Sequence, residues 1–221
     1  MEIITDLEKL GDRAEEVDVK KDNKTVKEIV LELKKTIREN NLTSLSAPQI
    51  GYNKRIFVIN YNGDLRTYIN PVLAELNDLR IVKEKCTSIP DKTFLIPRHS
   101  KIKVMYQTPM GKIESCQLIG VAASKFQHLL DHLEGMLVSD IGLEVDERFD
   151  NASDEEKEEV IKAYIDSLDI KLKEIKKDIE EDKDLMQMSK AIEFIEKKNK
   201  GEIQFERVEE ENNDNGSEVK N

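Results

Sequence analysis

Cysteine is scarce: Cys86 and Cys116 are the only two in 221 residues. A disulfide framework is therefore excluded, and one bridge is the most the chain could make. Free thiols or a metal ligand are the expectation for a chain read as intracellular. No apolar run approaches the ~20 residues of a membrane span, so no membrane association is expected. The opening Met1-Glu2-Ile3-Ile4-Thr5-Asp6 has neither a basic n-region nor an apolar h-region, so a secretory leader is not expected and the reading is cytoplasmic. Positive charge is in deficit, with 35 Lys and Arg against 46 Asp and Glu and a net charge of -11. That argues against nucleic-acid binding through net charge, though not against a local basic patch. Histidine is rare too, with three in the chain, and two of them stand in a telling register.

What is present reads as an α+β domain with an appendage. Val26, Ile29, Val30, Leu33 and Ile37 make one helical face, with Asp22 or Asn23 as cap and an end near Asn40-Asn41. Arg55 to Asn60 is a strand, Asn62-Gly63 a tight turn, and Leu65 to Ile69 the return strand, ending at Asn70-Pro71. Ile81 to Cys86 and Ile102 to Gln107 are further strands. After a turn at Thr108-Pro109-Met110-Gly111, Ile113 to Ile119 pairs back. A helix from about Val121 to Leu133 follows, with Gly135 as its stop. Short strands followed by one buried helix indicate α+β architecture.

At Asn151 the composition changes. Ser153-Asp154-Glu155-Glu156 is a capping box. Ile161, Ile165, Leu168, Leu172, Ile175 and Ile179 form a heptad-like seam, and Leu185, Met188, Ile192 and Ile195 resume it in shifted phase. The division expected is a domain over 1–150, a helical extension over 151–207 and a disordered acidic tail over 208–221. The exposed seam suggests self-association or a protein partner through 151–207.

His128 and His132 are four apart on the predicted helix, about 40° apart around its axis at ~100° per residue. Both imidazoles can reach one metal ion. An isolated pair of this spacing is equally the mark of structural or surface histidines. Cys86, at the end of a strand, would complete a Cys/His/His set suited to Zn²⁺, Fe²⁺ or Ni²⁺; alone, it reads as a small buried apolar residue. Cys116 is a rival ligand whose strand alternation favours burial. His99, in Pro97-Arg98-His99-Ser100, reads as a solvated loop histidine.

Three segments resemble the peptide deformylases, in the family's order. Leu42-Thr43-Ser44-Leu45-Ser46-Ala47-Pro48-Gln49 is similar to G-x-G-x-A-A-P-Q. Glu84-Lys85-Cys86-Thr87-Ser88 is similar to E-G-C-x-S, and Gln127-His128-Leu129-Leu130-Asp131-His132 to Q-H-E-x-D-H. The resemblance covers roughly residues 1–145. It implies antiparallel sheets wrapped around a central metal-binding helix, and metal-dependent removal of the formyl group from N-terminal formyl-methionine. It also implies Cys86, His128 and His132 as ligands of zinc or iron (nickel is the third option). Gln49 and the backbone N–H of Thr87 would be oxyanion donors, Asp131 would orient a ligand histidine, and Arg98 and Gln127 would support the site. A formylated peptide N-terminus would be the substrate.

Four departures accompany the likeness. Leu129 stands where the family has its general-base glutamate, a group of a kind worth about 10²–10⁴-fold. Within the helix, Asp131 lies about 200° and Glu134 about 140° around the axis from that position. Leu42 and Ser44 replace glycines that let substrate backbone approach, and Lys85 replaces another. Ser124 and Lys125 stand where apolar residues would wall a methionine pocket. Three functions follow: a divergent deformylase or amidase, a pseudoenzyme keeping the fold or the metal, and an assembly protein using its helical extension. Reduced or absent deformylase activity is the expectation.

Overall fold

A computed structural model of the chain describes residues 2–181. It begins with a short helix, α1 (Leu7–Leu10), and then α2 (Asn23–Glu39). All five apolar residues of the predicted α2 face are buried. Asp22 sits at the N-cap without a side-chain cap bond; its carboxylate instead accepts from the N–H of Asp18 at 3.1 Å. Strand β1 (Ser44–Ser46) precedes a 3-10 turn at Pro48–Ile50 and strand β2 (Ile56–Tyr61). Asn62 and Gly63 both have positive φ, 54° and 100°, as a type I′ turn demands, and they hand β2 to β3 (Asp64–Cys86).

Here the structure departs from the short strands expected. The stretches Leu65–Ile69 and Ile81–Cys86 belong to one strand, β3, of 23 residues. Its partner β4 (Ile89–Gln107) absorbs the predicted Ile102–Gln107 strand and also Pro97 to Ser100, which are not a loop. The chain passes Asn70-Pro71 by a register shift between Ile69 and Val72 and another between Leu73 and Glu75. Such bulges accommodate a proline that cannot donate to the ladder, and bend the strand without ending it. His99 pairs with Leu79 and is half-buried, so it is not a solvated histidine. Burial pushes its pKa down.

Strand β5 (Ile113–Ile119), helix α3 (Val121–Leu133), helix α4 (Val138–Ile141), strand β6 (Leu143–Val145), helix α5 (Glu147–Asn151) and helix α6 (Asp154–Glu181) complete the order. The strands form one antiparallel six-stranded sheet, ordered β1-β2-β3-β4-β5, with β6 paired to β4. The fold is α+β, as expected.

Strand β2 explains its own unbroken apolar run: it is buried on both faces. Ile56 and Val58 join the α2 side with Leu33 and Ile37, whereas Phe57 and Ile59 join the α3 side with Phe126, Leu129 and Leu133. The Phe57 and Phe126 rings meet edge to face at 5.1 Å. A third cluster around Leu10, Phe94, Ile96 and Val138 includes Cys86. Gly135 follows α3 at φ +73°, where a Cβ would stand 2.3 Å from the carbonyl oxygen of Gly11. Only glycine fits there.

The compact unit extends past the composition change at Asn151 and ends at Ile170. The capping box is present: Glu156 N–H donates to Ser153 Oγ at 3.2 Å, and Ser153 N–H to Glu156 Oε2 at 2.8 Å. In α6 the buried stripe shares Ile161 and Leu168 with the predicted seam and departs from it at Ile165. Tyr164 is buried and donates to the Ile141 carbonyl at 2.5 Å, with Ile161 and Leu168 half-buried, while Ile165 is 41% exposed. The seam from Leu172 on, its second phase at Leu185 to Ile195 and the acidic tail lie outside the residues whose side chains are described. Among the described residues, no helix is long and apolar enough to cross a membrane.

Candidate metal centre and active site

Helix α3 supplies the histidines because its apolar face is anchored first. Ala123, Phe126, Leu129 and Leu133 lock it against the sheet. Gly120, at φ +59° and ψ -128°, turns the chain off β5 into the helix. At the other end, buried Arg55 pairs with Glu134 at 2.7 Å and faces the Leu133 carbonyl at 3.5 Å. A cation at a helix C-terminus is favourable there. Gln127 fastens the helix to β4 by a two-way amide bridge. Its Nε2 donates to the His99 carbonyl at 2.8 Å, and its Oε1 accepts from the His99 N–H at 3.0 Å.

Those constraints bring Cys86, His128 and His132 together, with ligand atoms within 4.8 Å of one another. Cys86 Sγ lies 3.3 Å from His132 Nε2. His128 Nδ1 is 3.0 Å from Glu84 Oε2. Glu84 is an acceptor, so Nδ1 carries the proton and Nε2 is left for the cluster. A carboxylate behind a ligating histidine is the arrangement that fixes its ring and raises its basicity. The donor set is one thiolate and two imidazoles, which fits a borderline divalent ion such as zinc, iron or nickel. His132 Nδ1 is buried with no hydrogen-bond partner among the described residues.

Charge is already separated in this cluster. Burial opposes ionisation of Cys86, but His128 and His132 outweigh it and hold the thiol down at about 5. Burial likewise opposes the His128 imidazolium, and Cys86 and Glu84 outweigh it, carrying the ring up to about 9. Glu84 is pulled below the ordinary carboxylate range because His128 and Arg98 overcome the cost of burial. Arg98 grips Glu84 with both arms, Nε to Oε1 at 2.9 Å and Nη2 to Oε2 at 3.0 Å. It also meets Asp131 Oδ2 at 2.6 Å.

This corrects the expected place of Asp131. It does not reach a histidine ring in the structure; it faces Arg98, and Glu84 holds His128. The signal for Glu84 was available in the sequence. It stands two residues before Cys86 on a strand, so its side chain starts from the same face. Arg98 contacts Glu84 and Asp131, and Gln127 contacts the His99 backbone and the Ala123 carbonyl.

Gln49 is 2% exposed and projects beside Cys86. Its Oε1 accepts from the Ser46 N–H and hydroxyl, both at 3.0 Å, which fixes the amide's orientation. Its Nε2 faces Thr87 Oγ1 and Ser88 Oγ at 3.1 Å and lies 3.9 Å from Cys86 Sγ. Ser46 and Ser88 lie within the motif segments, and the fold shows what they do: both hold the Gln49 amide. Cys116 lies outside the cluster, partly buried against the α3 core.

A cavity of about 640 Å³ opens beside the cluster. Six departures from the family pattern face it: Leu42, Ser44, Lys85, Ser124, Lys125 and Leu129 are all lining residues, together with Gln49, Thr87 and His128. Leu129 is 1% exposed and packs with the α3 core. Glu84 is the one carboxylate at the cavity wall among the described residues, and it is occupied by His128 and Arg98.

The family model described as Polypeptide deformylase matches residues 2–145. A peptide deformylase of Dictyoglomus turgidum is 32% identical over 145 residues, covering 64% of this chain and 95% of that relative. The crystal structure of peptide deformylase from Thermotoga maritima is similar at 32% identity and TM-score 0.59, covering 64% of this chain and 95% of that one. That of a probable peptide deformylase from Synechococcus phage S-SSM7 is similar at 31% identity and TM-score 0.59, with 64% and 99% covered.

Proposed function

The chain belongs to the polypeptide deformylase family, and on that premise we propose that it binds a divalent metal and the N-terminus of formylated peptides, with hydrolysis slowed by loss of its general base. Cys86, His128 and His132 would hold the ion. When bound, it would supply Lewis-acid activation of water and of the formyl carbonyl. Gln49 donates its amide toward the developing oxyanion, together with the Thr87 N–H. A donor of that kind is worth about 10²–10³ in rate. Ser46 keeps the Gln49 amide pointed correctly, so its NH₂ and not its oxygen faces the reacting carbonyl.

The observation that carries the reading is Leu129. A buried leucine at the cavity wall can neither take a proton from the attacking water nor deliver one to the leaving amine. Glu84 does not replace it, because both its oxygens are engaged by Arg98 and His128. The site therefore keeps its binding and polarising parts and lacks its proton carrier. The test is Leu129→Glu in the metal-loaded full chain. Formyl-peptide hydrolysis should rise about 10²-fold. Wild-type turnover at ordinary enzyme rates, unchanged by Leu129→Ala, would overturn the reading.

A further inference from the structure

We propose that the cavity selects acylated peptides that carry a carboxylate within about two residues of the acyl group, recognised by Lys125 and Lys85. The proposal rests on the formyl-peptide reading for the acyl end alone; the charge preference has its own support.

The chain carries a net charge of -11, yet the cavity reverses that sign. Four cations line it: Arg80, Lys83, Lys85 and Lys125, against Glu84. Two of the four are neutralised locally. Arg80 pairs with Asp78 at 2.8 Å, and Lys83 pairs with Asp150. Glu84 is itself consumed by Arg98 and His128. Among the described residues, Lys85 and Lys125 have no carboxylate partner, and both line the same cavity. Lys125 is half-buried, so a charge there is screened less than one in open water.

The helix geometry sets the spacing. Gly120, Val121, Ser124, Lys125, His128 and Leu129 line the cavity as one strip of α3. Four residues of helix separate Lys125 from Leu129, an axial rise of about 6 Å at ~1.5 Å per residue. Helical side chains lean toward the N-terminus, so the lysine reaches further from the metal ligands. An extended peptide advances about 3.3 Å per residue. A ligand with its acyl carbon at His128 that runs along this strip toward Gly120 would bring its first or second side chain alongside Lys125. The remaining wall is apolar (Leu42, Val82) or hydroxylic (Ser44, Ser124), which offers an acidic side chain no competing negative charge.

The test is isothermal titration of the zinc-loaded full chain with four amidated peptides: formyl-Met-Glu, formyl-Met-Gln and the same pair with free amino termini. The glutamate peptide should bind about fivefold more tightly than its glutamine counterpart at low salt, the scale of one partly screened ion pair. Lys125→Met should erase that ratio, Lys125→Arg should keep it, Lys85→Met should reduce it, and added salt should shrink it. Equal affinity for the glutamate and glutamine peptides overturns the proposal, as does failure of both to bind at millimolar concentration. An acid preference shared by formylated and free peptides would sustain carboxylate recognition by the lysines while overturning the formyl-peptide reading on which the acyl end rests. A formyl preference without an acid preference would do the reverse.

Discussion

The floor and the wall of the cavity beside Cys86 differ in kind. On the floor, polar side chains are cross-connected: Ser46 to Gln49, Gln49 to Thr87 and Ser88, Glu84 to His128, and Arg98 to Glu84 and Asp131. On the wall, Leu42, Ser44, Ser124, Lys125 and Leu129 make no such network among the described residues. A buried floor group that lost its partner would cost the full desolvation of whatever it leaves unpaired. Apart from Leu129, which is packed in the α3 core, these wall residues are half-buried and can change without stranding a neighbour. The departures at Leu42, Ser44, Ser124 and Lys125 therefore alter chemistry more than stability, whereas Ser46, at an alanine of the family pattern, is built into the floor through Gln49.

The sharpest way to break that contrast is at the floor. His132→Ala should abolish binding of the ion, because two ligands remain of a site that needs at least three; metal analysis after zinc loading measures it. Retention of one equivalent would mean that the cluster is not the site. Next in size is Leu129→Glu at the wall, expected to gain about 10²-fold in formyl-peptide turnover. In that background, Gln49→Ala should remove most of the gain, about 10²-fold, since a proton carrier is useless without the oxyanion donor. Single-turnover kinetics at matched metal content distinguish these effects from changes in binding.

The third test uses pH on the metal-free protein. Cys86 is held at about 5 against an ordinary 9.0, so between those values the unfolded chain binds a proton the native one does not, and stability rises with pH. His128 is held at about 9 against an ordinary 6.5, so between those values the native state binds the extra proton and stability falls with pH. The two effects oppose each other from about 6.5 to 9, and Cys86 acts alone from about 5 to 6.5. Denaturant titrations of the metal-free chain should show a nearly flat contribution above 6.5 and a loss below it, at most about 1 kcal/mol per pH unit. Thiolate absorbance should persist at pH 7, vanish as pH falls through about 5, and be missing in Cys86→Ser. A thiolate that appears only near 9 would contradict the ion pair.

The smallest effect concerns α6. Tyr164→Phe removes the bond to the Ile141 carbonyl and should cost about 1 kcal/mol in denaturant unfolding. A chain truncated after Asp150 loses that anchor and the seam together. Light scattering of the truncated and full-length forms then tests self-association, which we propose for the extension because Val160, Ile165 and Ile170 remain exposed. Identical monomeric masses would exclude it.

Much of this was legible in the residues. The α2 face, the Asn62-Gly63 turn, β5, the limits of α3 and the capping box at Ser153 all depend on contacts within a few positions, which sequence spacing reports directly. The continuity of β3 and β4 was not legible, because Asn70-Pro71 and Pro97 read as breaks. Only the partner strand decides whether a bulge carries the chain past them. His99 read as a surface loop for the same reason. In α6, Tyr164 and not Ile165 completes the buried stripe, because periodicity identifies an apolar surface without naming what covers it.

By itself, the sequence determined the chemistry available: a thiol, two imidazoles four apart, an amide after a proline, and a leucine in place of a glutamate. Those are local identities, and folding does not change them. The tertiary structure decided their relations. It gave His128 to Glu84 and not Asp131 as its support, committed both oxygens of that glutamate, and left Lys85 and Lys125, among the described residues, without carboxylates at the cavity lining. Such pairings join residues 14 to 44 positions apart. Their outcome depends on which groups burial forces to find a partner, and burial is a property of the whole fold.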